Sequence, residues 1–150
     1  MIEERLAEIG IELPAAPSAL AAYVPVRVVG RLAYVSGQVP LVDGVPLYPG
    51  KVGDTVTVEQ GAEAARRCAL QALSALRAAL GSLDLVVGIA QLSVFVASAP
   101  GFTDQPKVAN GASDLLVEVF GEAGKHSRIA VGVAELPLGV PVELAMIAEL

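Results

Sequence analysis

The chain has no tryptophan, one cysteine, one histidine, and only three Phe and three Tyr among its 150 residues. A lone Cys68 excludes an internal disulfide, and no metal-ligand spacing surrounds it. A lone His126 excludes a two-histidine metal site and a histidine acid–base pair. By itself it reads as structural or solvent-exposed. No Lys/Arg-rich run occurs, and acidic groups outnumber basic ones 16 to 10, for a net charge of −6. That balance disfavours attachment to nucleic acid or to an anionic membrane. No apolar run reaches the roughly 20 residues that span a bilayer. The longest, Leu85 to Ala97, is interrupted by Gly88, Gln91 and Ser93. Met1-Ile-Glu-Glu-Arg5 starts acidic and lacks the apolar core of a secretory signal, so the expected compartment is the cytoplasm. No Gly-x-Gly-x-x-Gly or P-loop is found, and nothing calls for an organic cofactor or a metal.

What is abundant is small apolar surface. Hydrophobic residues make up 54% of the chain, mostly Ala, Val and Leu. The length suits one domain with a proper core, residues 1–150. Residues 1–22 read as an N-terminal helix, Ile2 to Ile9, stopped by Gly10 and followed by a rigid Leu13-Pro-Ala-Ala-Pro17 connector. This appendage is expected to dock, with a lid as the alternative. Val24–Val29 and Leu32–Gln38 read as two strands around Gly30-Arg31. Val42 to Asp54 reads as a loop. Thr57-Val-Glu-Gln60 is a capping box that opens a helix to Leu80, with a buried stripe including Ala65, Ala69, Ala72, Leu73 and Leu76. Arg66, Arg67 and Arg77 fall on its solvated side. Asp84–Ala97 reads as the longest strand, with Val86, Ala90, Leu92, Val94 and Val96 facing the core and Gln91 and Ser93 facing away. A second helix runs from Gln105 to Phe120 and is closed by Gly121 and Gly124. The order β-β-α-β-α-β-β, after the extra helix, is an α+β pattern in which two helices cover one face of a mixed sheet. The other face, left without helices in so apolar a chain, implies burial against another copy.

The stretch His126 to Glu143 carries the chemistry. It reads as two strands joined by Leu136-Pro-Leu-Gly139, with Ile129, Val131 and Val133 on the core side. Arg128, Ala130, Gly132 and Ala134 share the opposite side. If the strands pair as a hairpin, Glu143 lands opposite Ala130 or Gly132. A fixed cation and a carboxylate separated by small residues leave room for a small molecule. An ordinary ion pair between Arg128 and Glu143 is the alternative reading. Ser36, at the end of its strand, has no base near it in sequence and reads as a hydrogen-bonded hydroxyl rather than a nucleophile.

With Tyr23, Tyr34-Val-Ser-Gly-Gln-Val-Pro40, Ser93-Val-Phe-Val96, and the spacing of Arg128, Leu136-Pro137 and Val142-Glu-Leu144, the chain resembles the reactive intermediate deaminase family. This family is also called Rid or YjgF and is often labelled endoribonuclease L-PSP. The likeness runs from about Tyr23 to the C-terminus. It implies a chorismate-mutase-like homotrimer with sites in clefts between subunits. It also implies hydrolysis of enamine or imine intermediates to 2-oxo acids and ammonia. By this resemblance Arg128 grips the substrate carboxylate, Glu143 stands by the attacking water, and the Ala130 carbonyl helps hold that water. Tyr23 lies at the pocket rim and Ser36 is a pocket serine. The family's usual helix asparagine falls on Ser113, with Asn110 close by, and its usual cysteine two residues after the arginine is Ala130 here. The N-terminal helix, the longer 42–54 loop and the 121–126 segment mark a divergent subgroup. A non-catalytic carboxylate-binding trimer is the alternative function. A ribonuclease fits the acidic balance and the single histidine poorly.

Overall fold

Local signals set the helices. In the computed structural model, which describes residues 1–18 and 21–150, helix α1 is Ile2–Glu8, α2 is Val58–Leu80 and α3 is Gln105–Phe120. Ala19 and Leu20, within the predicted N-terminal segment, lie outside the described residues. The capping box forms as the sequence predicts: Thr57 Oγ1 accepts the Gln60 N–H at 3.1 Å, and Gln60 Oε1 accepts the Thr57 N–H at 3.0 Å. These two bonds satisfy backbone donors that the first helical turn leaves without partners. Gly81, at φ 87°, ends α2 in a left-handed turn open mainly to glycine.

The strands are β1 Val26–Val29, β2 Leu32–Gln38, β3 Leu41–Val42, β4 Val45–Pro46, β5 Gly88–Ala97, β6 Ser127–Val133 and β7 Val142–Glu149. The main sheet has the order β1-β2-β7-β5-β6, with β5 and β6 parallel and the other pairs antiparallel. Helices α2 and α3 lie on one face, α2 over β2 and β7, α3 over β5 and β6. The predicted fold class, a mixed sheet with two helices on one face and a short additional N-terminal helix, is what the chain adopts. Leu73, Leu76, Leu92, Val94, Leu115 and Leu144 are fully buried between these layers. The opposite face carries no helix. Tyr34, Ile129 and Val131 on it are 42%, 49% and 41% exposed.

Four expectations are corrected. First, β6 and β7 do not form a hairpin, because β5 lies between them. The chain leaves β5, crosses through α3 and returns as β6 beside and parallel to β5, the arrangement a helical crossover produces. β7 then pairs with the free edge of β5. Second, Ile129, Val131 and Val133 face away from the helices, and Arg128, Ala130 and Gly132 face toward them. In-register neighbours share a face, and Arg128, Ala130 and Gly132 pair with the buried Leu92, Val94 and Val96. Small residues fit there because α3 comes close: a side chain at Gly132 would meet Gln105 Nε2 at 2.8 Å and Ser98 Oγ at 2.9 Å. Third, the register shifts between Ile89 and Gln91, so Ile89 is buried and Ala90 exposed, and Leu83–Leu85 is a 3-10 turn rather than strand. Fourth, the 42–54 loop holds part of a short hairpin, β3–β4, around Asp43-Gly44.

The α2 arginines are not simply solvated. Arg67 Nε donates to Leu41 O at 2.7 Å, which ties that hairpin to the helix. Arg77 forks onto Glu3 at 3.2 and 2.7 Å, and Glu3 also accepts the Leu83 N–H at 2.9 Å. These bonds, with Leu6 buried beneath, dock α1 on the body.

The crossing of α2 and α3 depends on Gly111. A Cβ there would collide with the backbone of Ala62, its carbonyl carbon at 2.7 Å and its Cα at 3.0 Å. Backbone cannot yield as a side-chain tip can. Gly111→Ala is therefore expected to destabilise the fold by about 1–3 kcal/mol through overpacking. Denaturant titration of parent and variant measures this, and an unchanged midpoint would contradict the packing described.

Candidate functional site

Two groups of polar residues stand out, one on each face of the sheet. The first is a trough between edge strand β6 and helix α3. Its floor is Arg128, Ala130 and Gly132, each two residues apart on one side of the strand. Its wall is α3, which presents Ser113 and Asn110 at the Arg128 end and Gln105 at the Gly132 end. Nη1 of Arg128 donates to Asn110 Oδ1 at 2.8 Å and to Ser113 Oγ at 3.1 Å. Ser113 Oγ lies 2.9 Å from Nε2 of His126, whose Nδ1 lies 2.6 Å from Gly124 O. Both hydrogens of Nη1 are thereby engaged. Among the described residues nothing bonds the Nε–Nη2 edge of the guanidinium. That edge is the planar fork that matches a carboxylate.

The second group is on the helix-free face. Glu143 pairs across the sheet with Phe95, not with Ala130 or Gly132. It sits beside the irregular register between Val35 and Gln38, where Ser36 and Gly37 interrupt β2. Gly37 makes room for it, since a Cβ there would run into the Glu143 carboxylate. Ser36 Oγ donates to Val24 O at 2.6 Å, which holds the exposed Tyr23–Val24 segment against β2. With its proton so placed, the Ser36 hydroxyl is left as an acceptor, in keeping with a strand-end hydroxyl and not an activated nucleophile.

Arg128 and Glu143 therefore do not meet within one protomer. Leu92 and Phe95, their partners on β5, are three residues apart and face opposite sides. With the strand rise and two strand spacings, their Cα atoms are about 14 Å apart. No ion pair between them forms, and neither joins any other salt bridge among the described residues. A groove of about 610 Å³ runs between the 12–17 connector and the Leu41–Gly44 turn, and neither residue lines it.

Asn110, Ser113, Arg128 and Ala130 are thus brought together on the helix side, and Glu143 lies on the other face beside Gly37, with Ser36 bonded to the carbonyl that follows Tyr23. His126 had been set aside for want of a second histidine. The available signal was its position two residues before Arg128, which puts both on the same side of an extended segment. Burial pushes the Cys68 thiol well up, Glu143 adds to this, and the thiol faces only Val142 O at 3.8 Å. That thiol is inert. Among the described residues, no group of three or more His, Cys, Asp and Glu is placed to hold a metal ion. No helix is long and apolar enough to cross a membrane.

The mixed sheet and the two helices on one of its faces define a class: an α+β protein with an arginine held against a helix at the sheet edge. The chain belongs to the family described as "YjgF/chorismate mutase-like, putative endoribonuclease", whose model matches residues 3–150. Protein TCP17 of Trypanosoma cruzi is 48% identical over 99% of this chain and 94% of its own length. A crystal structure from Shewanella oneidensis MR-1, carrying the same endoribonuclease description, superposes with a TM-score of 0.95 at 38% identity, over 100% of this chain and 99% of that one. E. coli TdcF with bound serine is more distant, with a TM-score of 0.62 and 25% identity, covering 90% of this chain and 93% of that one.

Desolvation raises the Glu143 carboxyl above its ordinary pKa. Ionising it costs more in the folded chain than in the unfolded one. Between the ordinary and the raised value the folded state holds the extra proton, so stability falls as pH rises through that window and stays reduced above it. Glu143→Gln removes this penalty. The variant is expected to melt higher than the parent at neutral pH, with the gap closing in acid below the ordinary carboxylate range. A difference in Tm that is the same at every pH would contradict the desolvation of this carboxyl.

Proposed function

We propose that this protein hydrolyses imine or enamine intermediates of 2-amino acids to 2-oxo acids and ammonia, in a cleft closed by two copies of the chain. The observation that carries this reading is the division of the site. The arginine trough lies on the helix side at one sheet edge, and the carboxylate group lies on the bare face. Each is incomplete alone, and the bare apolar face needs a cover. A homotrimer, as the family resemblance implies, would bring the trough of one copy to the Glu143 face of the next. TdcF, a distant relative, holds serine, a small amino acid, which supports a small carboxylate as ligand.

The chemistry follows from the groups. The Nε–Nη2 edge of Arg128 binds the substrate carboxylate bidentately without exchanging a proton. Asn110 and Ser113 keep the guanidinium in place. A protonated imine carbon is already electrophilic, so the reaction mainly needs a placed water. Glu143, desolvated and of raised basicity, accepts a proton as the water oxygen bonds to carbon, giving a carbinolamine. It returns the proton to nitrogen and then takes the hydroxyl proton as the C–N bond breaks and C=O forms, so that ammonia and the 2-oxo acid leave and the proton passes from Glu143 to solvent. The Ala130 carbonyl, Ser36 Oγ and Tyr23 supply acceptors and a rim around that water. A non-catalytic carboxylate-binding trimer would use the same trough, and is favoured if 2-oxo acids bind while imines are not hydrolysed. A ribonuclease has less support, since His126 is the chain's single histidine and its ring is tied to Ser113 and Gly124.

Arg128→Ala removes two charge-assisted bonds and is expected to lower kcat/KM for an imine generated in situ by about 100-fold or more, with the fold intact by circular dichroism. Unchanged ammonia release would sink the assignment. Glu143→Gln is expected to be similarly impaired. Mixing the two inactive variants, with subunit exchange, should restore part of the activity, because some clefts then pair an intact Arg128 with an intact Glu143. No recovery, despite exchange shown by mass, would mean that the two residues do not share a cleft between copies.

A further inference from the structure

His126 is not explained by the reaction just outlined, yet in the neutral ring its neighbours fix the direction of each hydrogen bond. Gly124 O, 2.6 Å from Nδ1, can only accept, so Nδ1 carries the ring proton. In the neutral ring Nε2 is then an acceptor, and the hydroxyl proton of Ser113, 2.9 Å away, points to it. Ser113 Oγ, in turn, accepts from Nη1 of Arg128 at 3.1 Å. A guanidinium can only donate and a carbonyl can only accept. With the ring neutral, the chain of bonds therefore runs one way, from Arg128 through Ser113 and His126 to Gly124 O. The opposite tautomer would set a ring lone pair against a carbonyl oxygen.

We propose that His126 is a positioning residue of the carboxylate site, one that selects planar carboxylates by fixing which edge of Arg128 is offered. This rests on the reading that Arg128 binds a substrate carboxylate. With its proton held by His126, Ser113 turns a lone pair to Nη1, and Asn110 takes the second hydrogen of that nitrogen. The free edge is then Nε–Nη2, whose two parallel N–H groups fit a 2-oxo or 2-imino acid. Without the ring, the serine hydroxyl is free to bond back to the carbonyl one helical turn earlier, as serines within helices do. Nη1 then loses an acceptor, and the guanidinium loses its set orientation.

The single histidine makes the test direct. ¹⁵N NMR of the ring in the parent protein should show the Nδ1-protonated tautomer, and an Nε2-protonated neutral ring would overturn the proposal without any variant. Binding is measured with pyruvate, the simplest 2-oxo acid. His126→Phe and Ser113→Ala should each weaken it about tenfold. The double variant should be no weaker than the worse single, because both cut the same chain. His126→Gln, whose amide oxygen reaches the place of Nε2, should recover most of the loss. Additive losses, or parent-like binding by a folded His126→Phe, overturn the positioning role. Arg128→Ala separates the two levels. If pyruvate binding ignores it, the carboxylate reading itself fails. If binding collapses there but not in His126→Phe, only the role of His126 fails.

Discussion

The crossover that carries the chain from β5 through α3 to β6 is the constraint on which the site depends. Because α3 lies on the helix side, β6 is laid parallel to β5 at the sheet edge, and its alternate residues are pressed under the helix. Arg128 is one of them. It is exposed where Ala130 is half-buried, and it reaches along α3 to Asn110 and Ser113. The close crossing of α3 over α2 at Gly111 sets the height of that helix above the sheet. Gly111 stands between Asn110 and Ser113 in sequence, so the residue that lets the helices approach also places the two that hold the arginine.

The same constraint puts Glu143 elsewhere. β7 pairs with the other edge of β5, and its alternation turns Glu143 to the bare face. Half-burial beside Phe95 and Gly37 leaves that carboxyl short of solvent and without a cation, and its pKa rises. A carboxylate short of water on the uncovered face and an arginine fork unmatched at the sheet edge are chemically complementary, yet they lie on opposite faces of one protomer. They are the features from which the proposed cleft between copies is argued. The structural agreement is high with the Shewanella protein and much looser with TdcF. The Glu3–Arg77 fork fastens α1 to the body.

Much of this was legible in the residues. The capping box at Thr57, the glycine stop at Gly81, the bounds of β2 and α3, and the core face of Val142, Leu144 and Met146 follow from patterns a few residues long. Of the candidate site residues, Arg128 does bond Ser113 and Asn110, and Glu143 does lie beside Gly37, the neighbour of Ser36, though their sequence spacing could not give these contacts. The joining of the last two strands was misread. A turn-like Leu136-Pro-Leu-Gly139 suggested a hairpin, while the preceding helix, which calls for a parallel return, had the stronger claim on β6.

Sequence by itself determined the elements, the sidedness of most strands and the residue types that can bind a carboxylate, because caps, glycine stops and period-two alternation act over short distances. Tertiary structure alone decided which strands are neighbours, and hence that bulky Ile129 and Val131 face outward while Arg128 faces a helix. It also decided that a histidine with no partner in sequence would find one in Ser113. Those outcomes depend on β5 taking the place between β6 and β7 and on how near α3 can come. Both are set by contacts between residues far apart in the chain, and no local pattern encodes them.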